Sequence, residues 1–212
     1  MCIKRNVLYI MITFASLILL FGCAETDSSD KSRLHNRVRF VIGETRFNIE
    51  RKYIKGAFEN KNKVLHSVDL WVLLPDFESY NVSANHDEFY GAGGWGRKIY
   101  LSIRSRGHTA TVKRTIKASI AGYSKSKDMK KKYGLEVYPY WTKRDQLYVF
   151  RIGSEPVVNM ICSIDGIVKE PGCSGYWDYS TDVVIDFSFS KKYLSSWMVI
   201  WKKSNEILSG YL

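Results

Sequence analysis

Covalent chemistry by a protein needs a nucleophile beside a base and an orienting group, or ligands spaced to hold a metal. Neither is legible in this chain of 212 residues. No serine sits in a GxSxG turn, and there is no HExxH pair. His35, His66, His86 and His108 show no ligand spacing. Asp178 and Asp182 stand four apart, but within the turn-rich stretch 172–182, which reads as a loop or strand edge. Gly91-Ala92-Gly93-Gly94-Trp95-Gly96 matches neither GxxxxGK[ST] nor GxGxxG, and no helix start follows it, so it is not read as a phosphate cradle. The expectation is a protein that is not an enzyme and holds no cofactor or metal. What the chain offers instead is aromatic residues beside arginine and lysine, the composition of binding hot spots. Phe89, Tyr90, Trp95 and Arg97 form one such group, and Tyr176 and Trp177 a second; both are expected on exposed loops and are the candidate partner contacts. Tyr138, Tyr140 and Trp141 are read as ordinary core.

The cysteines carry the clearest chemistry. Lys4 and Arg5 precede an almost unbroken apolar run, Val7 to Phe21, and Leu20-Phe21-Gly22-Cys23 closes it. At about fifteen residues the run is shorter than the ~20 that span a bilayer as a helix. This pattern resembles a bacterial lipoprotein signal and lipobox, cleaved before Cys23, which is then N-terminal and acylated. More than one acyl chain makes such an anchor stable. By the same resemblance, Ala24 in place of aspartate directs the lipoprotein to the outer membrane, with the domain in the periplasm. Cys2 leaves with the signal and Cys23 is lipidated, so Cys162 and Cys173 remain in an oxidising compartment and are expected to form a disulfide. Asp165-Gly166 and Pro171-Gly172 lie between them as turn dipeptides.

Removing residues 1–22 leaves 190, enough for one substantial domain or two small fused ones. It also removes Lys4 and Arg5, which lowers the formal charge from +11 to +9. An acidic protein partner, anionic headgroups and simple solubility all fit that charge. Nucleic acid is not an expected partner in the envelope.

The elements that must position these residues read as follows. Residues 23–36 are a polar tether. Val38, Phe40 and Ile42, then Phe47 and Ile49, alternate around Gly43-Glu44 as a hairpin. Val64–Leu74 is a strand, buried on both faces at Leu70-Trp71-Val72-Leu73-Leu74, and 77–96 is a long connection. Lys98–Arg106 alternates as a half-buried strand. Val112, Ile116 and Ile120 mark a helix over 109–121, with Thr109 as cap and Gly122 after its end. The lysine-rich stretch 124–133 is a basic linker. Strands follow at 135–141, 147–152, 157–164 and 183–189, then a terminal helix from Ser190 to Gly210. Its stripe of Tyr193, Leu194, Trp197, Ile200, Trp201, Ile207 and Leu208 is expected to pack on a sheet. The fold class is therefore α+β with mostly antiparallel sheets: two strand-rich subdomains, 37–123 and 134–212, each ending in a helix.

Several of these segments together have a familiar order: Met160-Ile161-Cys162, the short loop to Cys173, Asp186-Phe187-Ser188-Phe189, Tyr193-Leu194, Trp197, Ile200 and Ile207-Leu208. Phe40-Val41-Ile42-Gly43-Glu44 and Leu74-Pro75-Asp76 are compatible with it. The chain resembles type VI secretion immunity lipoproteins, which protect against lipase-type effectors. The resemblance covers about residues 37 to 208 and implies a periplasm-facing inhibitor that binds a cognate phospholipase effector and occludes its active-site cleft. It carries over no inhibitory residue. A structural or assembly lipoprotein of the envelope or secretion apparatus is the alternative.

Overall fold

The computed structural model describes residues 36–56, 64–91, 95–121 and 130–210. The signal, Cys23, most of the tether and residues 92–94 and 122–129 lie outside the described residues, and with them Gly122 and most of the expected basic linker.

The described residues from Val38 onward form one compact unit. β1 (Arg37–Ile42) and β2 (Thr45–Glu50) are the expected hairpin strands, joined by Gly43 and Glu44. β3 (Val64–Leu65) adds parallel to β1 and completes a three-stranded sheet in the order β2-β1-β3. The expected strand over 64–74 is interrupted at His66. β3 stays in the small sheet, and β4 (Ser67–Leu73) enters a second, larger one.

The larger sheet has nine strands. Its other members are β5 (Glu78–Ser79), β6 (Lys98–Ser105), β7 (Lys130–Lys132), β8 (Leu135–Pro139), β9 (Asp145–Ile152), β10 (Glu155–Ser163), β11 (Gly172–Asp178) and β12 (Val183–Ser190). The order is β5-β4-β6-β12-β11-β10-β9-β8-β7, and every pairing is antiparallel. The α+β class with antiparallel sheets thus holds. The two expected halves, however, do not keep separate sheets. β12 pairs on one side with β11 and on the other with β6, Ile185 facing Ile103 and Phe187 facing Leu101. Pairing satisfies the backbone groups of both strands, which an edge strand would leave to solvent.

Among the described residues three α-helices complete the fold: α1 (His86–Tyr90), α2 (Val112–Ile120) and α3 (Trp197–Ser209). Alternation along the nine-stranded sheet sorts its side chains by face. Leu70, Ile99, Leu101, Ile103, Val158, Met160, Trp177, Ile185, Phe187 and Phe189 point to one core with the small sheet and α3. There Trp197 and Trp201 pack on Phe150, with ring centroids 4.8 and 5.7 Å away, as the helical stripe implies. Gly210, with φ 75°, ends α3 in the left-handed conformation that glycine tolerates. On the opposite face Val112 and Ile116 of α2 pack on Leu147 and Val149. α2 starts at Val112 rather than Thr109, because the Thr111 side chain accepts the Arg114 amide.

Four elements depart from the sequence reading. Residues 130–132, expected in the basic linker, form edge strand β7. Tyr133 and Gly134, with φ 54° and 78°, turn the chain back into β8. All three β7 lysines are exposed, which keeps the sheet edge from recruiting other strands. The connection at 77–96 contains β5 and α1, where Asn81 and Asn85 bond the turn backbone. The expected loop at 172–182 is largely β11, a central strand. The disulfide expected between Cys162 and Cys173 is present, with an S–S distance of 2.07 Å, across directly facing residues of β10 and β11.

Candidate functional site

α2 covers only the β9–β11 part of its face of the sheet. Over β4, β6 and β12 the same face presents Asp69, Trp71, Tyr100, Ser102, Arg104, Asp186 and Ser188, none of them fully buried. These side chains are fixed by one another. Ser102 Oγ donates to Asp69 Oδ1 at 2.9 Å. Arg104 pairs with both oxygens of Asp186 and donates from Nη1 to Thr109 Oγ1 at 2.8 Å. Burial and a hydrogen bond to Asp69 push the Tyr100 phenol up to about 12, so it remains a neutral donor.

A cavity of about 520 Å³ opens on this face, lined by Trp71, Trp95, Lys98, Ile99, Tyr100, Glu170 and Ser188. That volume lies in the range of small-molecule and anchor-residue pockets. Trp95 forms one wall. Its backbone amide donates to Glu170 Oε2 at 3.1 Å, and its indole lies over Gly172, where a Cβ would sit 2.6 Å from Cε2. Glycine at 172 therefore permits the close approach.

Trp71 also lines the cavity and leads into an aromatic group. Phe89 stacks on it at 6.0 Å and Tyr90 tilts against it at 5.3 Å. Tyr80 meets Phe89 and Tyr90 edge-on, each at 5.5 Å. Arg97 clamps this group onto the sheet: Nε donates to the Leu74 carbonyl at 2.6 Å, Nη2 to Glu78 at 2.7 Å and Nη1 to Glu88 at 3.1 Å. Lys98 Nζ adds a bond to the Phe89 carbonyl at 3.1 Å.

Of the six candidate contacts, the structure brings four together around Trp71. Tyr90 is 54% exposed and Trp95 is half-buried on the cavity wall. Phe89, at 2% exposure, lies beneath Trp71, and Arg97 positions its neighbours through its ion pairs. The second group is placed elsewhere. Trp177 is 3% exposed, in the core against Phe187 at 5.5 Å, because β11 carries it inward. Tyr176 is held under α2, its hydroxyl donating to the Ala110 carbonyl at 3.3 Å and meeting Thr115. Neither is a loop residue. Trp141, read as core, is 78% exposed in the turn after β8.

The carboxylates of the 172–182 stretch hold the fold together. Asp178 pairs with Arg106 at 2.7 Å and accepts the Val112 amide at the start of α2 at 2.9 Å. Asp182 accepts from Ser180 Oγ at 2.6 Å and from the Glu44 amide, which ties the β1–β2 turn to the large sheet. These bonds hold its carboxyl below the usual carboxylate range, Ser180 contributing most. Among the described residues no group of three His, Cys, Asp or Glu is placed to hold a metal ion. Nor is any helix among them long and apolar enough to cross a membrane.

Trp71, Tyr100, Glu170 and Ser188 were not singled out from the sequence. The signal for the first two was the alternation Asp69-Trp71 and Tyr100-Ser102, which puts both aromatics on a polar face. Glu170 and Ser188 had none, since their place depends on the order of the strands.

The fold and this face define an α+β domain on an all-antiparallel nine-stranded sheet, with one broad face only partly covered by the described residues. Its architecture is similar to that of the iron-regulated outer membrane lipoprotein FrpD of Neisseria meningitidis, with a TM-score of 0.55 over 84% of this chain and 93% of that one. The identity is 11%, so the likeness is one of fold. No protein-family model matches the chain, and no curated protein matches it in sequence.

Proposed function

We propose that this chain is a lipoprotein of the cell envelope, anchored through acylated Cys23 in the inner leaflet of the outer membrane, whose periplasmic domain acts by binding and not by catalysis. The partner is a type VI secretion phospholipase effector, neutralised by occlusion of its active-site cleft. The observation that carries the binding reading is the partly uncovered sheet face, where Trp71 and Trp95 stand beside Lys98 and Glu170 around a cavity of about 520 Å³, with Tyr90 against Trp71. Tryptophan, tyrosine and arginine dominate hot spots because they give large contact area with a polar handle. The lipobox at Leu20–Cys23 and the disulfide support the compartment, and the fold shared with an outer membrane lipoprotein is consistent with it. The identity of the partner rests on the sequence resemblance.

The test is co-expression of the full chain with the effector directed to the periplasm. Survival of cells that otherwise lyse, lost when Cys23→Ser prevents anchoring or when Trp95→Ala and Tyr90→Ala are combined, is the expected result. Undiminished killing rejects the immunity reading. The likeness to FrpD equally favours a second reading, a structural or assembly lipoprotein of the envelope or secretion apparatus. That reading predicts envelope defects on deletion with no effector present.

A further inference from the structure

On the far side of Trp71 from the main cavity lies a second depression of about 370 Å³, between the segment after β2 and the aromatic group. Arg51, Lys52, Lys55, Trp71, Tyr80 and Tyr90 line it. Its charge is one-sided. Lys52 is paired with Glu50 at 2.8 Å. The Arg51 guanidinium is held by the carbonyls of Ile54, at 3.0 Å, and Gly56, so its geometry is fixed, and no carboxylate among the described residues pairs with it. Lys55 stands 4.0 Å over the Trp71 ring and, among the described residues, has no carboxylate within 4 Å. Neither carboxylate of α1 lines the depression: Glu88 is engaged by Arg97, and Asp87 lies outside the lining. His86 Nδ1 is bonded to the Tyr80 hydroxyl at 2.9 Å. Beside these cations the depression presents exposed rings, Tyr80 at 37% and Tyr90 at 54%.

We infer that this depression is the docking point for an acidic segment of a protein partner, a carboxylate entering between Arg51 and Lys55 while the adjoining chain lies across Trp71. Two observations select a polypeptide over a single headgroup or free phosphate. The cations adjoin exposed rings, Lys55 over Trp71 with Tyr80 and Tyr90 beside it, which a small anion would leave uncovered. That surface continues over Trp71 into the larger cavity, so one ligand can run through both. Desolvated aromatic anchors with a charged rim are the anatomy of a protein interface, and a positive pocket on a basic protein speeds capture of an acidic partner. The inference rests on the reading above only in taking the partner to be a protein.

The experiment is isothermal titration of the full chain with acetylated hexaglutamate at low and physiological salt. The expected result is saturable binding that weakens with salt, falls at least tenfold in Lys55→Glu and severalfold in Tyr90→Ala, and is unchanged in Lys202→Glu, an exposed position on α3. No binding by the wild type overturns the inference, as does equal loss in Lys55→Glu and Lys202→Glu, which marks diffuse charge. Lys55-dependent binding to phosphatidylglycerol vesicles that hexaglutamate fails to displace also overturns it, in favour of a lipid surface. Peptide binding without protection from the effector sinks the immunity reading alone; protection that Lys55→Glu leaves intact, without peptide binding, sinks this inference alone.

Discussion

Reduction of the Cys162–Cys173 bond gives the most calculable test of this architecture. The bridge joins facing residues of two central strands, and the cysteines are 11 apart in sequence. In the chain-entropy description a loop of that length contributes about 3 kcal/mol by restricting the unfolded chain. For a domain of this size that corresponds to a fall of roughly 6–12 °C in Tm. With a urea slope of about 2 kcal/mol per molar, the midpoint falls by about 1.5 M. The reduced protein keeps its fold, because the ladder between β10 and β11 does not depend on the bridge. The assay is urea and thermal unfolding of the full chain with and without dithiothreitol, followed by far-ultraviolet circular dichroism. Cys162→Ala/Cys173→Ala is the control and should lose all response to the reductant. A reductant effect under about 1 kcal/mol would refute the reasoning, and so would one that persists in the control.

Two further results follow from buried and charged side chains. Trp177→Ala should destabilise the domain by about 3–5 kcal/mol through cavity formation, whereas Trp95→Ala on the half-buried cavity wall should cost far less; parallel urea melts compare them, and equal losses would contradict the placement of Trp177. Asp182 has its carboxyl held below the usual range by Ser180 and the Glu44 amide, so its contribution is present above about pH 4 and lost as pH falls through the depressed folded value. Wild type and Asp182→Asn should therefore differ in urea midpoint at pH 7 and converge as pH falls through the depressed folded value, and a constant gap would exclude this carboxylate as the titrating group.

How much was legible from sequence depended on whether an element's pattern is local. The β1–β2 hairpin, α2 and α3 each carry their own periodicity, and the bridge followed from the cysteines that remained. β11 was misread because Gly172 and Gly175 look like turn punctuation. In the strand they serve close approach: a side chain at 175 would run into the Asn159 carbonyl and Met160 Cα, and one at 172 into Trp95. With β11 taken as a loop, Trp177 became an exposed anchor on paper and Tyr176 its companion. α1 has five residues, too few to display a helical period. The candidate site was half legible. Phe89, Tyr90, Trp95 and Arg97 are close in sequence, so their clustering could be read. Trp71, Tyr100, Glu170 and Ser188 meet them only through strand order, which no local pattern encodes.

The position of β12 bears on the order in which the protein is made. β6 ends at Ser105, and the strand that covers its second edge begins at Val183. Through the synthesis of nearly eighty intervening residues, Ile99, Leu101 and Ile103 have no neighbour on that side. A chain emerging from its N-terminus thus carries an unfinished, apolar sheet edge until almost its last segment arrives. Pairing of such distant segments is slow. Truncation before residue 183 is therefore expected to leave that edge of β6 unpaired and to favour aggregation over a smaller folded unit.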